Sequence, residues 1–440
     1  MLAPSCRHPP SHGSHGMRLT PAAALITGLS SLFILASPAA PQDPHEPPPP
    51  PAPVAPAAPV APRLELSPEA GAQDIPFDLY SNHIYLRGRV NDSDSLWIVL
   101  DSGAGGNVVN ASVADRLGLV SEGSTQARGA GGVVASGRVS EVTFRLPGVT
   151  LSGPSATIPM DDMVRQSSRA MDGIVGQTLL SRCVARIDYA AHTLDILDAE
   201  SFHYSGHGTI LPLTFEHGLP YVTARLTVPG HAPIKGRFVI DTGSGQSLIL
   251  TAPFVHKHHV DQAVPKTIQV RGRGVGGQVQ SLMGRLTALE LGDIRIERPV
   301  AALRMSDVGT ISAQGTVGNI GGEILRRFTV IFDYPHQRMI LEPNPHLGEP
   351  LEADMSGLGL RPGPADSHAL EVEWLQPDAP AMEAGVREGD LIESVDGRPA
   401  TELGISGLQP IFRHDGETHR LTIRRGEERL EITFTTHRLI

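Results

Sequence analysis

The chain has 440 residues, is 40% hydrophobic but only 4% aromatic, and carries a formal net charge of −11 at neutral pH. That length holds roughly two to four domains, and the acidic balance argues against a nucleic-acid or anionic-membrane partner. With so few aromatics the cores must be built from Val, Leu, Ile and Ala, and 47 glycines with 38 prolines predict a loop-rich β protein.

In chain order, residues 17–40 come first as a predicted secretory leader. Arg18 supplies the positive region, residues 22–36 the apolar run, and Ser37 and Ala39 a small-residue cleavage site near Ala39 or Ala40. Met17 is then the expected start. The apolar run is short for a membrane span, so export, with a periplasmic location, is the expectation, and an uncleaved N-terminal membrane anchor is its alternative. Residues 41–63 are a Pro/Ala spacer that favours extended polyproline II and buries nothing. Removing the leader removes Cys6 and leaves Cys183, which sits in an apolar pattern and is expected to fill core.

From Leu64 to about Pro345, short apolar runs broken by Gly, Asn, Asp and Pro predict strands, such as HIYLRGRV (83–90), SEVTFRL (140–146), YVTARLTV (221–228) and RLTALEL (285–291). The stretch is also an internal repeat. LWIVLDSGAGGN (96–107) returns as RFVIDTGSGQ (237–246), with Asp241 following Asp101 by 140 residues. RGAGG (128–132) returns as RGVGG (273–277), and GIVGQTLLSRCVARIDY (173–189) as GNIGGEILRRFTVIFDY (318–334), both 145 residues on. Two copies of one β-rich unit, 64–205 and 206–345, predict two lobes about a pseudo-twofold axis.

An axis passing near both D-[ST]-G turns brings Asp101 and Asp241 together. Two carboxylates within hydrogen-bond reach cannot both ionise cheaply; they share a proton and titrate in two separated steps. One is then a base while the other is an acid at the same pH, which is what amide hydrolysis by an activated water requires; the paired acids of aspartic proteases are the standard example of such sharing. Gly103 and Gly243 let the backbone turn beside each acid, and Ser102 and Thr242 are placed to hydrogen-bond across the lobe interface. This chemistry needs no metal or cofactor.

These motifs resemble the aspartic proteases of the pepsin and retropepsin superfamily in single-chain, two-lobed form. The active-site triplet corresponds to DSG 101–103 and DTG 241–243. The apolar-apolar-Gly signature corresponds to Ile174-Val175-Gly176 and, in lobe two, to Asn319-Ile320-Gly321, where Asn319 departs from the pattern. Gly129, Gly131 and Gly132, with Gly274, Gly276 and Gly277, resemble the glycine-rich flaps of retropepsins that close over a bound peptide. The resemblance implies a mainly β, two-lobed fold and an aspartic endopeptidase acting on peptides or unfolded protein. A non-catalytic peptide-binding scaffold with a degenerate protease fold is the alternative.

Two other signals point elsewhere. GRGVGG (272–277) formally matches a dinucleotide fingerprint, but the next residues, QVQSLMGRLTALEL, read as strand. HKHH (256–259) could serve metal-dependent hydrolysis, but adjacent histidines point apart on a helix, and TAPFVHKHH occupies the place of ASVADRLGL, a short helix after the loop. The repeated Asp188-Tyr189 and Asp333-Tyr334 pairs lie in strand patterns and are expected to be structural.

After a polar linker, 346–440 changes character and resembles a PDZ domain of the bacterial protease-associated type. SGLGLRP (356–362) matches its carboxylate-binding loop, so the resemblance implies that the amides of Leu358, Gly359 and Leu360 receive a peptide terminus while the peptide adds a strand. TELGISGLQPIF (401–412) should form the helix lining that groove, although Gly404, Gly407 and Pro410 are poor helix formers. The alternative is a purely structural or autoinhibitory module.

Overall fold

The apolar runs between Leu64 and Pro345 become strands whose buried faces meet mainly in one core that spans both halves of the repeat. In His83–Val90, Ile84, Leu86 and Val90 are fully buried on one face; on the other, Arg87 and Arg89 are exposed while Tyr85 is buried in a second apolar cluster. The structure, a computed structural model, describes residues 61–67, 72–306 and 315–440. The expected leader, Met17, Cys6 and nearly all of the spacer lie outside the described residues.

Lobe one is built around Leu96–Leu100, the strand that delivers Asp101. It runs antiparallel to His83–Val90 and parallel to Gly173–Val175. Asn107–Asn110 lies on the other side of Gly173–Val175, antiparallel to it and parallel to Val149–Ile158. Lobe two repeats every relation. Ile234–Asp241 is antiparallel to Leu219–Thr227 and parallel to Thr316–Gly321; Leu248–Leu250 is antiparallel to Thr316–Gly321 and parallel to Val300–Arg304. A short helix follows in each lobe, Ala111–Arg116 and Ala252–Lys257, as expected from the sequence.

The lobes are joined by backbone. Val184–Asp188 pairs antiparallel with Phe328–Asp333, and in that ladder Arg186 lies opposite Ile331. Ile331 is 145 positions after Arg186, the offset of the repeat itself. At this central pair alone a residue faces its own duplicate, and the pseudo-twofold axis passes between the two. Ile98, Leu100, Ile240 and Ile320 beneath the acids belong to one core cluster spanning both lobes; each such side chain contributes about 1.5–3 kcal/mol on burial, so the strand ends are held firmly.

Cys183 fills this core, with its thiol pushed up to about 12 by burial and its Sγ donating to the Leu179 carbonyl at 3.4 Å. The DY pairs are structural as well. Tyr189 and Tyr334 are buried, the Asp188 carboxylate accepts from the Ala190 and Ala191 amides, and buried Asp333 accepts from Arg338 Nε at 2.6 Å. One strand reading is corrected: RLTALEL divides, with Arg285 ending Gly277–Arg285 and Ala288–Leu291 forming another strand. Between them the chain changes partners, the Leu286 amide donating to the Pro299 carbonyl and that of Thr287 to the Thr227 carbonyl.

The C-terminal module is a sheet ordered Leu358–Pro362, Leu370–Leu375, Leu391–Val395, Thr418–Arg425, Glu428–Thr435, with its own core around Leu370, Ile392, Phe412 and Leu421. Its helix, Ala400–Ile411, forms despite its composition but breaks at Gly404, where φ is 63° and ψ 168°. The module packs on lobe two through Leu439 and Ala379 against Ile268, and through Arg285–Glu352 at 2.6 Å and Arg413–Glu323 at 3.1 Å.

Candidate active site

Each acid leaves its strand into a glycine turn at the lobe interface, and the turns are cross-braced. The Ser102 amide donates to Thr242 Oγ1 at 2.9 Å, and the Thr242 amide to Ser102 Oγ at 3.0 Å. Both hydroxyls then donate deeper: Ser102 Oγ to the Ile240 carbonyl and Thr242 Oγ1 to the Leu100 carbonyl, each at 2.8 Å. These four buried bonds tie each acid's loop to the other acid's strand. They fix how far apart the carboxyls stand.

The structure brings Asp101 and Asp241 together. Each carboxyl lies against the opposite glycine turn, a Cβ on Gly103 standing 2.5 Å from Asp241 Oδ1 and one on Gly243 2.3 Å from Asp101 Oδ1, and each accepts from the amide two residues on, Gly103 at 2.7 Å and Gly243 at 2.9 Å. The glycines are required by this approach, since a Cβ at either would run into the carboxyl of the opposite acid. Enclosure pushes both groups above the ordinary value of 3.8. Asp101 stands well above it, through desolvation first and then the adjacent Asp241 charge. For Asp241, desolvation is partly offset by the Asn319 amide bonded to it and the Asp101 carboxyl beside it.

Asn319, in the sequence only a departure from an apolar signature, donates from Nδ2 to Asp241 Oδ2. His83, which no motif pointed to, stands beside the same acid, with its pKa lowered by desolvation despite the Asp241 charge. A buried amide facing an acid could have been suspected from the repeat, because the aligned residue in lobe one is Ile174. Nothing in the sequence pointed to His83.

Above the acids hang two hairpins, Ser124–Gly129 with Gly132–Leu146, and Thr267–Gly274 with Gly277–Arg285. Their tips meet: the Gly131 amide donates to the Val275 carbonyl at 2.8 Å. Gly129, Gly131, Gly132, Gly274, Gly276 and Gly277 all lie at these tips. The hairpins and acids enclose a cavity of about 1150 Å³. Val108, Ile158, Met171 and Ile174 line it on one side and Ile249, Met283 and Val300 on the other.

The same cavity extends to the C-terminal module. Leu358, Gly359 and Leu360 line it together with Ile405 and Leu408 of the kinked helix. One expectation is corrected here: the Leu358 amide is engaged by Ser356 Oγ at 3.1 Å, because that hydroxyl folds back onto the loop, so it is not free for a ligand. The histidines of HKHH do not converge. His258 packs on Phe254, ring centroids 4.6 Å apart, and His259 takes a left-handed backbone, φ 49°.

Residues 86–179 and 224–319 match the family model described as aspartyl protease, and residues 371–425 match the PDZ domain model. Each aspartyl protease match contains one of the two acids. Among curated proteins, a stretch of 72 residues, 16% of this chain, is 42% identical to serine protease HTRA1 of Xenopus tropicalis. The chain spans 15% of that relative's length.

Proposed function

We propose that this chain, whose two lobes are aspartyl protease repeats and whose C-terminal module is a PDZ domain, hydrolyses internal peptide bonds with a water held between Asp101 and Asp241. The meeting of the two carboxyls across braced loops carries this reading. The ionised acid takes a proton from water as its oxygen attacks the scissile carbonyl carbon. The protonated acid gives its proton to the carbonyl oxygen, forming a neutral gem-diol. Proton transfer to the amide nitrogen then lets the C–N bond break, leaving a carboxylic acid and an amine and returning the pair to one shared proton.

The flap tips hold an extended peptide against the acids and exclude bulk water, and the apolar cavity walls favour apolar side chains beside the scissile bond. Because the PDZ groove opens on the same cavity, it recruits or orients the polypeptide being cut. The leader-like residues 17–40 support export, with the periplasm as the working compartment.

The test is digestion of an unfolded protein and a random peptide pool by the full chain at mildly acidic pH. Asp101→Asn and Asp241→Asn should each abolish cleavage while leaving the fold intact by circular dichroism. A transition-state mimic with a secondary hydroxyl should inhibit, and serine-acylating reagents should not. Turnover retained in either variant, or peptide binding without cleavage by the unaltered chain, overturns the reading.

A further inference from the structure

The repeat supplies the acids in symmetric pairs, but their surroundings are not symmetric. The strands beneath them are equivalent: Ile174 lies opposite Val99 in lobe one, and Asn319 opposite Val239 in lobe two. Both positions are buried. Ile174 offers Asp101 no hydrogen bond; Asn319 gives Asp241 a donor. The Asn319 Oδ1 is buried without a partner among the described residues, so the bond to Asp241 is what anchors the amide. A buried amide donor stabilises a carboxylate more than a carboxylic acid, whose bare oxygen is the weaker acceptor.

We propose that Asn319 is a positioning residue that fixes the negative charge of the acidic pair on Asp241 and leaves the shared proton on Asp101. Resting on the catalytic reading above, this assigns the roles within the pair. Asp241 takes the proton of the attacking water, and Asp101 delivers its own to the carbonyl oxygen. The remaining groups facing the pair agree with or do not oppose the assignment. His83, from the start of its strand, faces Asp241, and its charge when protonated favours the same ionised acid. Tyr334, after the joining strand, faces both acids and is held neutral by burial. Glu323, on the short helix after Asn319, is ion-paired to Arg326 and Arg413.

The experiment titrates the pair directly in the full chain, through the Cγ resonances of ¹³C-labelled aspartate, with Asp101→Asn and Asp241→Asn used only for assignment. In the unaltered chain Asp241 should deprotonate at the lower pH. Asn319→Ile, which installs the residue that lobe one already carries, should raise the Asp241 midpoint by about one to two pH units, the size expected for one charge-assisted hydrogen bond. The acidic limb of kcat/KM should move with it. Ile174→Asn in the otherwise unaltered chain should lower the Asp101 midpoint and narrow the gap between the steps, and it decides the matter if Asn319→Ile does not fold. An Asp241 midpoint that stays put in folded Asn319→Ile overturns the proposal. So does one that falls, meaning that the amide oxygen accepts a hydrogen bond from protonated Asp241, or an Asp101 midpoint unmoved by Ile174→Asn. If the chain cleaves no peptide, the catalytic reading fails, and the titration still decides where the charge sits.

Discussion

At the scale of single residues, what the sequence disclosed was whatever the duplication repeated. Asp101, Asp241, Ser102 and Thr242 could be read because each has a copy in an equivalent turn. Asn319 was visible only as an exception, and the direction of its amide belongs to a strand pairing that no linear pattern encodes. His83 comes from the opposite lobe to the acid it approaches, so its neighbour lies 158 positions away in the chain. The braces give a direct prediction. Ser102→Ala removes a buried hydroxyl that accepts from the Thr242 amide and donates to the Ile240 carbonyl. Two buried backbone groups lose partners, at about 1–3 kcal/mol each before relaxation. Urea denaturation should therefore show a loss of about 2–4 kcal/mol, far above the few tenths typical of an exposed Ser→Ala change. A midpoint within error of the unaltered chain would mean the braces do not set lobe stability.

Among the elements, strands were legible and their changes of partner were not. HIYLRGRV alternates from Leu86 to Val90 and becomes one strand, whereas RLTALEL looks continuous but switches ladders after Leu286, because Pro299 and Thr227 supply its acceptors from the flanks of different strands. The kinked helix shows the opposite: Gly404, Gly407 and Pro410 argue against helix, yet packing of Leu403, Leu408 and Phe412 into the module core outweighs propensity. Gly404 gives the chain its break, with φ at 63°. The glycine clusters were legible in the sequence, and the structure places them at hairpin tips that are mutually fitted. A Cβ on Gly131 would lie 2.5 Å from the Gly277 nitrogen, and one on Gly276 2.5 Å from the Gly132 carbonyl oxygen. Gly131→Ala should force the tips apart at a cost of about 1 kcal/mol, lowering kcat/KM about fivefold, mostly through KM. An unchanged KM would show that the hairpins do not grip the peptide.

For the whole molecule, the sequence announced three modules but not how the last one sits, since docking is written in residues that look like ordinary surface. Arg413 and Glu323 are 90 positions apart and inconspicuous alone; together they form an ion pair whose carboxylate also accepts from Asn82 at 2.8 Å. Asn82 in turn donates to the Gly245 carbonyl at 2.9 Å, within the loop that carries Asp241. The PDZ domain thus touches the acid loop through two intermediates. At the same junction Asp354 accepts from the Ser356 amide at 2.9 Å, yet enclosure outweighs these bonds and pushes its carboxyl up to about 6. A carboxyl raised on folding adds stability that is fully present below its ordinary value of 3.8 and is lost as pH rises through about 6. For this partly exposed group the loss is about 1–2 kcal/mol, discounted for solvent screening. Docking of the module should accordingly loosen between about pH 4 and pH 6.5. Hydrogen exchange at Ser356–Leu358, corrected for the intrinsic pH dependence, should lose about tenfold in protection over that range, and Asp354→Asn should flatten the change. Protection independent of pH in the unaltered chain, or an equal loss in Asp354→Asn, would place the junction's stability elsewhere, in Arg285–Glu352 and the apolar contact of Leu439 with Ile268.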